Sequence, residues 1–383
     1  MQHSIDDMRI GIDARLIGET GVGRYIRNLI EQLKLQDTKN HYVIYLPEKS
    51  FADFTLPSPY WEKRLATVHW HTVQEQIIMP ILFLKDNLDI VHVPYFSIPV
   101  FYPKKFIVTI HDLTILHVFT GKATRLPYPL YIFKKLGYRL MLALGLRKAE
   151  AIITPSLRTK QEIMDHFSIS GSKIHVIYEG VDERISNDKL QITNKNMIKN
   201  PYFLYVGNAY PHKNLELMLL AFADFVKSVE KPYQLIFVGK DDYFYAGLKQ
   251  TAGNLGLGEY ARFLENVDDE ALHGLYKHAL ALVFPSLMEG FGLPALEAAS
   301  LGTPVMCSDI PIFHEILQDM PVYINPKNRE SISHGFLYVV TKRQMLVKTM
   351  KGKIVPLMKM YSWERLGKET LALYQSMGII HTV

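Results

Sequence analysis

Short runs of β-branched and aromatic residues recur along the chain, and each is followed by a longer stretch whose apolar residues return every three or four positions. The first kind reads as a buried strand and the second as an amphipathic helix. Strands are predicted at Arg9–Asp13, Tyr42–Leu46, Ile90–Val93, Phe106–Ile110 and Ala151–Thr154, then at Tyr202–Val206, Gln234–Val238, Arg262–Leu264, Ala281–Phe284 and Pro304–Cys307. Helices fall between them, for example at Arg24–Leu35, Leu215–Val229 and Pro294–Ser300. This alternation predicts parallel sheets joined by helical crossovers. Asp182–Pro201 is polar, rich in Asn and Lys, and has no apolar period, so it reads as a linker. The expected division is a first Rossmann-like domain over residues 1–185, a linker over 186–200, a second such domain over 201–362, and a closing helix over 363–383. Doubly wound sheets bind ligands beyond the carboxyl ends of their strands, so chemistry is expected just after strands.

Bulk properties narrow the picture. A chain of 383 residues is too long for one ordinary core. With 48% hydrophobic and 21% charged residues it is globular in composition. A net charge of +5 suits anionic small molecules or an anionic membrane surface and falls short of a nucleic-acid binder. The single cysteine, Cys307, lies in an apolar run, has no partner for an internal disulfide, and has no Cys/His spacing for zinc. A reduced, cytoplasmic setting is expected. No stretch reaches the roughly 18 apolar residues of a membrane span, and the polar segment Met1–Met8 is not a signal peptide.

The most informative segment is Glu289-Gly290-Phe291-Gly292-Leu293-Pro294-Ala295-Leu296-Glu297, directly after a predicted strand. Gly290 and Gly292 let backbone approach a ligand, and Pro294 suits a helix start. Free N–H groups and the positive dipole end there make a site for a diphosphate. Glu289 and Glu297 can face one cleft, each carboxylate accepting from neighbouring hydroxyls. A bland reading is an ordinary loop-to-helix turn with a capping carboxylate. Tyr205-Val206-Gly207-Asn208 leads to Lys213 at another helix start, where an ammonium is electrostatically misplaced unless an anion lies near. A solvated lysine is the alternative.

Two further segments follow strands in the first half. Asp13–Arg24 contains Gly18, Gly21 and Gly23 and leads into a helix, but the G-x-G-x-x-G spacing of a dinucleotide fingerprint fails, since Ile26 stands where the glycine after Gly21 and Gly23 would fall. Arg24 either faces a diphosphate or lies on a solvated helix face. His111, at the end of Val108-Thr109-Ile110, faces a cleft in such a sheet or is a structural histidine bonded to Asp112 or backbone. His92, His117 and His314 show no ligand spacing and read as structural.

The two glutamates around Gly-Phe-Gly-Leu-Pro resemble the signature of retaining glycosyltransferases of family 4. The resemblance implies the GT-B fold: two doubly wound parallel-sheet domains facing across a cleft. It further implies that Glu289 contacts the donor sugar, that Glu297 contacts the nucleotide ribose, and that backbone from Gly290 through Phe291 and Gly292 to Leu293 approaches sugar and phosphate. Gly207 and Lys213 match the family's second motif, in which basic residues serve the leaving diphosphate. Asn208 and His212 stand where members carry arginine, a departure that leaves the second positive charge open. Gly21, Gly23 and Arg24 resemble the family's phosphate loop, and His111 its sugar-contacting histidine. Glu179-Gly180-Val181-Asp182 resembles its "NGVD" segment, and Tyr361-Ser362-Trp363-Glu364 the start of the helix that crosses back to the first domain. Val267-Asp268-Asp269 resembles a base-proximal segment of guanine-using members, favouring GDP-mannose over a UDP-sugar.

The expected catalyst therefore uses His111, Lys213 and Glu289, with a nucleotide-sugar co-substrate, GDP- or UDP-linked. It has no cofactor and no metal, because fixed positive charge replaces a carboxylate cluster. Family resemblance implies retention at the anomeric carbon, the diphosphate helping take the acceptor's proton. Expected partners are the donor and a glycan or lipid-linked acceptor in surface polysaccharide or glycoconjugate synthesis, with no nucleic acid. Lys122–Lys148 mixes Lys122, Arg125, Lys134, Lys135, Arg139, Arg147 and Lys148 with apolar residues. It reads as a basic amphipathic helix on the inner face of the cell membrane, or as a packed crossover helix with a charged face. Competing functions are a nucleotide-sugar epimerase of the same architecture and a degenerate transferase acting as a binding subunit. A glycosidase needs its paired carboxylates to flank the scissile bond, which a ribose-facing Glu297 would not do.

Overall fold

A computed structural model describes residues 7–117, 128–181 and 200–378. The predicted linker, Asp182, Lys122 and Arg125 lie outside the described residues. Two compact units are present, one formed by Met1–Gly180 with Trp363–Val383 and the other by Val181–Ser362.

The first unit is built on β1 (Arg9–Asp13), β2 (His41–Leu46), β3 (Trp61–Leu65), β4 (Ile90–Val93), β5 (Phe106–Thr109), β6 (Ala151–Thr154) and β7 (Ile174–Val176). These pair in parallel in the order β3-β2-β1-β4-β5-β6-β7. Its helices are α1 (Gly21–Gln36), α2 (Glu48–Phe51), α3 (Glu75–Lys85), α4 (Thr114–His117), α5 (Tyr128–Lys148) and α6 (Leu157–Phe167). Central strands such as β4, β5 and β6 are buried on both faces, as parallel strands covered by helices must be. In α1, Tyr25, Ile26, Leu29, Ile30 and Leu33 supply the buried stripe.

The second unit repeats the plan with β8 (Tyr202–Val206), β9 (Gln234–Val238), β10 (Ala261–Leu264), β11 (Leu282–Phe284), β12 (Val305–Ser308) and β13 (Val322–Ile324). They also pair in parallel, in the order β10-β9-β8-β11-β12-β13. Its helices are α7 (Leu215–Lys227), α8 (Tyr243–Asn254), α9 (Asp269–His278), α10 (Leu293–Ser300), α11 (Pro311–Leu317) and α12 (Arg329–Met360). Phe336 of α12 meets Phe203 of β8 edge-on at 4.8 Å and Phe222 of α7 at 5.2 Å, and these rings anchor the core on that face. Asp242, Asp268 and Asn328 accept backbone N–H groups at the starts of α8, α9 and α12, which fixes where those helices begin.

The last helix, α13 (Trp363–Gly378), belongs to the first unit. Its Gly367 lies so close to α1 that a Cβ there would come within 2.5 Å of Gln32 Cβ. Its Tyr374 hydroxyl bonds His92 Nδ1 at 2.6 Å. His92 Nε2 in turn meets the Thr109 hydroxyl at 2.7 Å. Burial holds His92 down at about 3, so its ring is neutral and serves the core, in line with its structural reading.

Candidate active site

The second sheet changes direction once. From β8 the chain winds outward through β9 and β10, and it resumes on the other side at β11, which pairs directly with β8 at Leu204 and Leu282. Loops leaving β8 and β11 therefore flank the crevice where such sheets take their ligands. Both strongest sequence motifs lie on those loops. Lys213 Nζ donates to Glu289 Oε1 at 2.6 Å, and the two side chains are only 13% and 10% exposed. The loops are tied together as well: Leu287 N–H donates to the His212 carbonyl at 2.8 Å, and Asn214 Nδ2 to the Pro285 carbonyl at 3.2 Å.

An ammonium at this turn calls for an anion nearby, and Glu289 supplies one. Lys213 also sits in a separate single turn, Pro211–Lys213, rather than in α7, which starts after Asn214 at φ +62°. The ammonium spends one of its three donors on Glu289 and lies 5.5 Å from the Phe284 ring centroid. The pair thus presents a cation and a carboxylate oxygen side by side, in a sheltered place where fixed charges act strongly.

Next to it, Gly292 opens α10 at φ +88°, a left-handed conformation costly for any residue with a Cβ. A Cβ there would also stand 2.7 Å from Phe313 Cε1. Pro294 falls within the first two helical positions, where its missing N–H costs nothing. The side chain of Phe291 is buried edge-on against Tyr361 at 5.7 Å, so it anchors the turn from below. Gly290 is buried and Leu293 half-buried. Glu297 lies inside the fold at 2% exposure, where its Oε2 accepts from the Tyr276 hydroxyl of α9 at 2.9 Å.

Gly207 takes φ +146°, and its carbonyl accepts from the Tyr245 hydroxyl at 2.7 Å. The Asn208 carbonyl accepts from Tyr205 at 2.6 Å, so two tyrosines hold this turn. Val267 is half-buried, just before Asp268, whose carboxylate accepts the Ala271 N–H at 2.8 Å. Asp268 and Asp269 thus serve the start of α9 electrostatically.

In the first unit, Gly21 is exposed with open space around its Cα. Gly23 is glycine for packing, since a Cβ would meet the Ile17 carbonyl oxygen at 2.7 Å. Arg24 is half-buried on the first turn of α1. His111 was expected either to face a ligand or to bond Asp112 or backbone. Its Nε2 meets a backbone group, the Pro94 carbonyl, at 3.1 Å, while its Nδ1 meets Glu179 Oε1 at 2.9 Å rather than Asp112. Asp112 is engaged elsewhere, accepting the Thr114 N–H at 2.8 Å. Both of His111's partners accept, so a doubly protonated ring satisfies both. Burial alone pushes the imidazole down; the Glu179 hydrogen bond and charge outweigh it, and His111 titrates above the ordinary histidine range.

Among the described residues, no group of three or more His, Cys, Asp or Glu side chains is placed to hold a metal ion. The family model for Glycosyltransferase Family 4 matches residues 20–184, and that for glycosyl transferases group 1 matches residues 188–352. The O-antigen chain mannosyltransferase RfbU of Salmonella typhimurium is 32% identical over 269 residues, 70% of this chain and 69% of that protein. The chain belongs to glycosyltransferase family 4. A second relative, O-antigen chain mannosyltransferase B of Escherichia coli, is 28% identical over 60% of this chain and 64% of its own. Among solved structures, sucrose-phosphate synthase from Thermosynechococcus elongatus superposes with a TM-score of 0.79 at 17% identity, covering 97% of this chain and 100% of that one. HepE of Anabaena, in complex with UDP and glucose, gives 0.75 at 14% identity, covering 96% and 100%. These likenesses show the GT-B fold, of two parallel-sheet α/β domains.

For this family 4 member, two features escaped the sequence reading. Arg15, only 3% exposed, is clamped by Asp13 at 2.8 and 2.6 Å and by Glu75 at 2.5 Å, and it donates to the Val68 carbonyl at 3.1 Å. An Asp and an Arg two residues apart at the end of a buried strand were the available signal. Glu179 was noted only within a motif, although it is the residue that sets the charge of His111.

The latter has a measurable consequence. His111's raised pKa means its contribution to stability is whole below the unfolded value near 6.5 and is lost as pH rises through the folded value. Glu179→Gln is expected to cost about 2 kcal/mol at pH 6, with the cost shrinking at higher pH. Thermal unfolding of both proteins across that range checks it; a pH-independent difference would contradict the charged pairing.

Proposed function

We propose that this chain transfers a hexose from a nucleoside-diphosphate sugar to a glycan or lipid-linked acceptor, with GDP-mannose the first choice of donor and a UDP-sugar the second. The observation that carries the reading is the Lys213–Glu289 pair at the switch point, beside the helix start at Gly292. Cleaving the anomeric bond to a diphosphate puts negative charge on the leaving group and positive character on the sugar. Lys213 and the first N–H groups of α10 answer the first, and the carboxylate of Glu289 holds hydroxyls of the second. Glu297 takes the ribose diol. Transfer proceeds with retention and without metal or cofactor, the fixed ammonium standing where a divalent ion would serve.

Mannose is favoured because relatives named as mannosyltransferases align over most of the chain, and nucleotide-sugar binding because HepE is described in complex with UDP-glucose. A role in surface polysaccharide synthesis follows the O-antigen relatives. The test is a panel of GDP-mannose, UDP-glucose and UDP-galactose, read by thermal shift and by donor consumption with and without EDTA. GDP-mannose is expected to give the largest shift, with turnover unaffected by chelation. If none of the three binds or is consumed, the reading fails; loss of turnover with EDTA removes metal independence alone.

A membrane surface is the proposed working place, cytoplasmic and peripheral. No described helix is long and apolar enough to cross a membrane. Yet α3 exposes Ile77, Ile81 and Leu84, and α5 exposes Leu136, Leu140 and Leu144 next to Arg139, Arg147 and Lys148. Apolar stripes beside cations suit an anionic bilayer. Flotation with phosphatidylglycerol vesicles should capture the wild type, and Leu136→Glu with Leu140→Glu should abolish capture; capture unchanged in the variant would remove this surface from the proposal.

A further inference from the structure

The first sheet has a switch point of its own, between β1 and β4, which pair at Ile10 and Ile90 while β2 and β5 lie on opposite sides. A narrow recess of about 10 Å³, room for a single oxygen-sized group, lies just beyond the carboxyl ends of these two strands. Asp13 and Arg15 reach it from β1, Pro94, Tyr95 and Ser97 from β4, and Trp70 from the segment before α3. Ser97 is only 6% exposed, and its hydroxyl has no hydrogen-bond partner among the described residues. Burying a hydroxyl without a partner is costly, so such a group calls for a ligand atom.

The rest of the recess is consistent in chemistry. Asp13 is 6% exposed and receives three donors from Arg15, leaving room on a carboxylate that can accept about four. Trp70 and Tyr95 are half-buried in the wall, Trp70 with one ring face stacked on His69 at 4.2 Å. Arg15 fixes that wall in place, donating to Val68 and Glu75 on either side of Trp70. Pro94, whose carbonyl accepts from His111, joins the recess to that histidine. A hydroxyl partner and a carboxylate in a recess that two aromatic side chains also line suit the edge of a polyhydroxylated ring. We propose that this recess seats one hydroxyl group of the saccharide acceptor, with Ser97 bonding it and Trp70 and Tyr95 lining the mouth beside it. The proposal rests on the transferase reading above and adds the residues that choose the acceptor.

Saturation-transfer NMR with methyl α-D-mannopyranoside, methyl α-D-glucopyranoside and methyl α-D-galactopyranoside, in the presence of GDP, tests it. At least one glycoside should bind the wild type, and Ser97→Ala should weaken that binding about tenfold, the loss of one hydrogen bond. Trp70→Ala should weaken it at least as much, while thermal midpoint and donor binding stay at wild-type levels in Ser97→Ala. No binding of any of the three to wild type, or wild-type affinity in both variants, overturns the proposal. Failure of the transferase reading looks different: glycoside binding would still depend on Ser97, while no nucleotide sugar was bound or consumed.

Discussion

Lys213→Met is expected to lower kcat/KM for the nucleotide sugar by about 10³-fold, and Glu289→Gln by a similar factor. Removing a single preorganised group that meets developing charge typically costs 10²- to 10³-fold, and each of these side chains is sheltered enough to act at full strength. The structural objection is that the two residues merely form an ion pair and that either change leaves a stranded charge. Breaking such a sheltered pair does destabilise, by about 2–3 kcal/mol here, below the range for fully buried pairs. The double variant Lys213→Met/Glu289→Gln separates the two roles. It removes both charges together, so thermal stability should return close to wild type while turnover stays lost. Recovery of turnover in the double variant would show that the pair serves the fold alone.

Gly292→Ala should be the next most damaging change. The left-handed backbone at φ +88° costs a side-chain-bearing residue about 1–2 kcal/mol. The new Cβ would in addition meet the Phe313 ring at 2.7 Å, and that ring is fully buried with nowhere to go. The turn must then shift, and with it the N–H groups that open α10. A loss of donor affinity of about 10²-fold is expected, since a displacement of this size misplaces every donor at once. Adding Phe313→Leu relieves the clash without relieving the backbone, so affinity should recover in part. Donor titration of the two variants reads this directly; wild-type affinity in Gly292→Ala would mean that the turn does not touch the donor.

Much of this architecture was legible in the sequence because buried parallel strands advertise themselves. Runs such as Phe-Leu-Tyr-Val in β8 and Leu-Ile-Phe-Val in β9 are apolar on both faces, and their predicted bounds match the observed ones. β3 was missed for the opposite reason. It is an edge strand reading Trp-Glu-Lys-Arg-Leu, and its charges are met by one another, by Arg9 and Asp86, and by the Phe51 and Phe54 carbonyls, which no sequence period shows. β7 and β13 have three residues each, too few for any period to show. At the site, Lys213 and Glu289 were both identifiable from glycine turns after strands. Their contact was not, because they are 76 positions apart and meet only through the adjacency of β8 and β11. The same holds for His111 and Glu179, brought together from 68 positions apart. Ser97 carries no local signal at all: what marks it is a missing partner, which only the fold can reveal.

The central claim is that Lys213, Glu289 and the start of α10 grip the diphosphate sugar. A crystal structure with GDP-mannose bound tests it most directly. The β-phosphate should lie within hydrogen-bond distance of Lys213 Nζ and of N–H groups just after Gly292, with a sugar hydroxyl on Glu289. A diphosphate bound away from both, with the Lys213–Glu289 contact at 2.6 Å undisturbed and no sugar against it, would contradict the account.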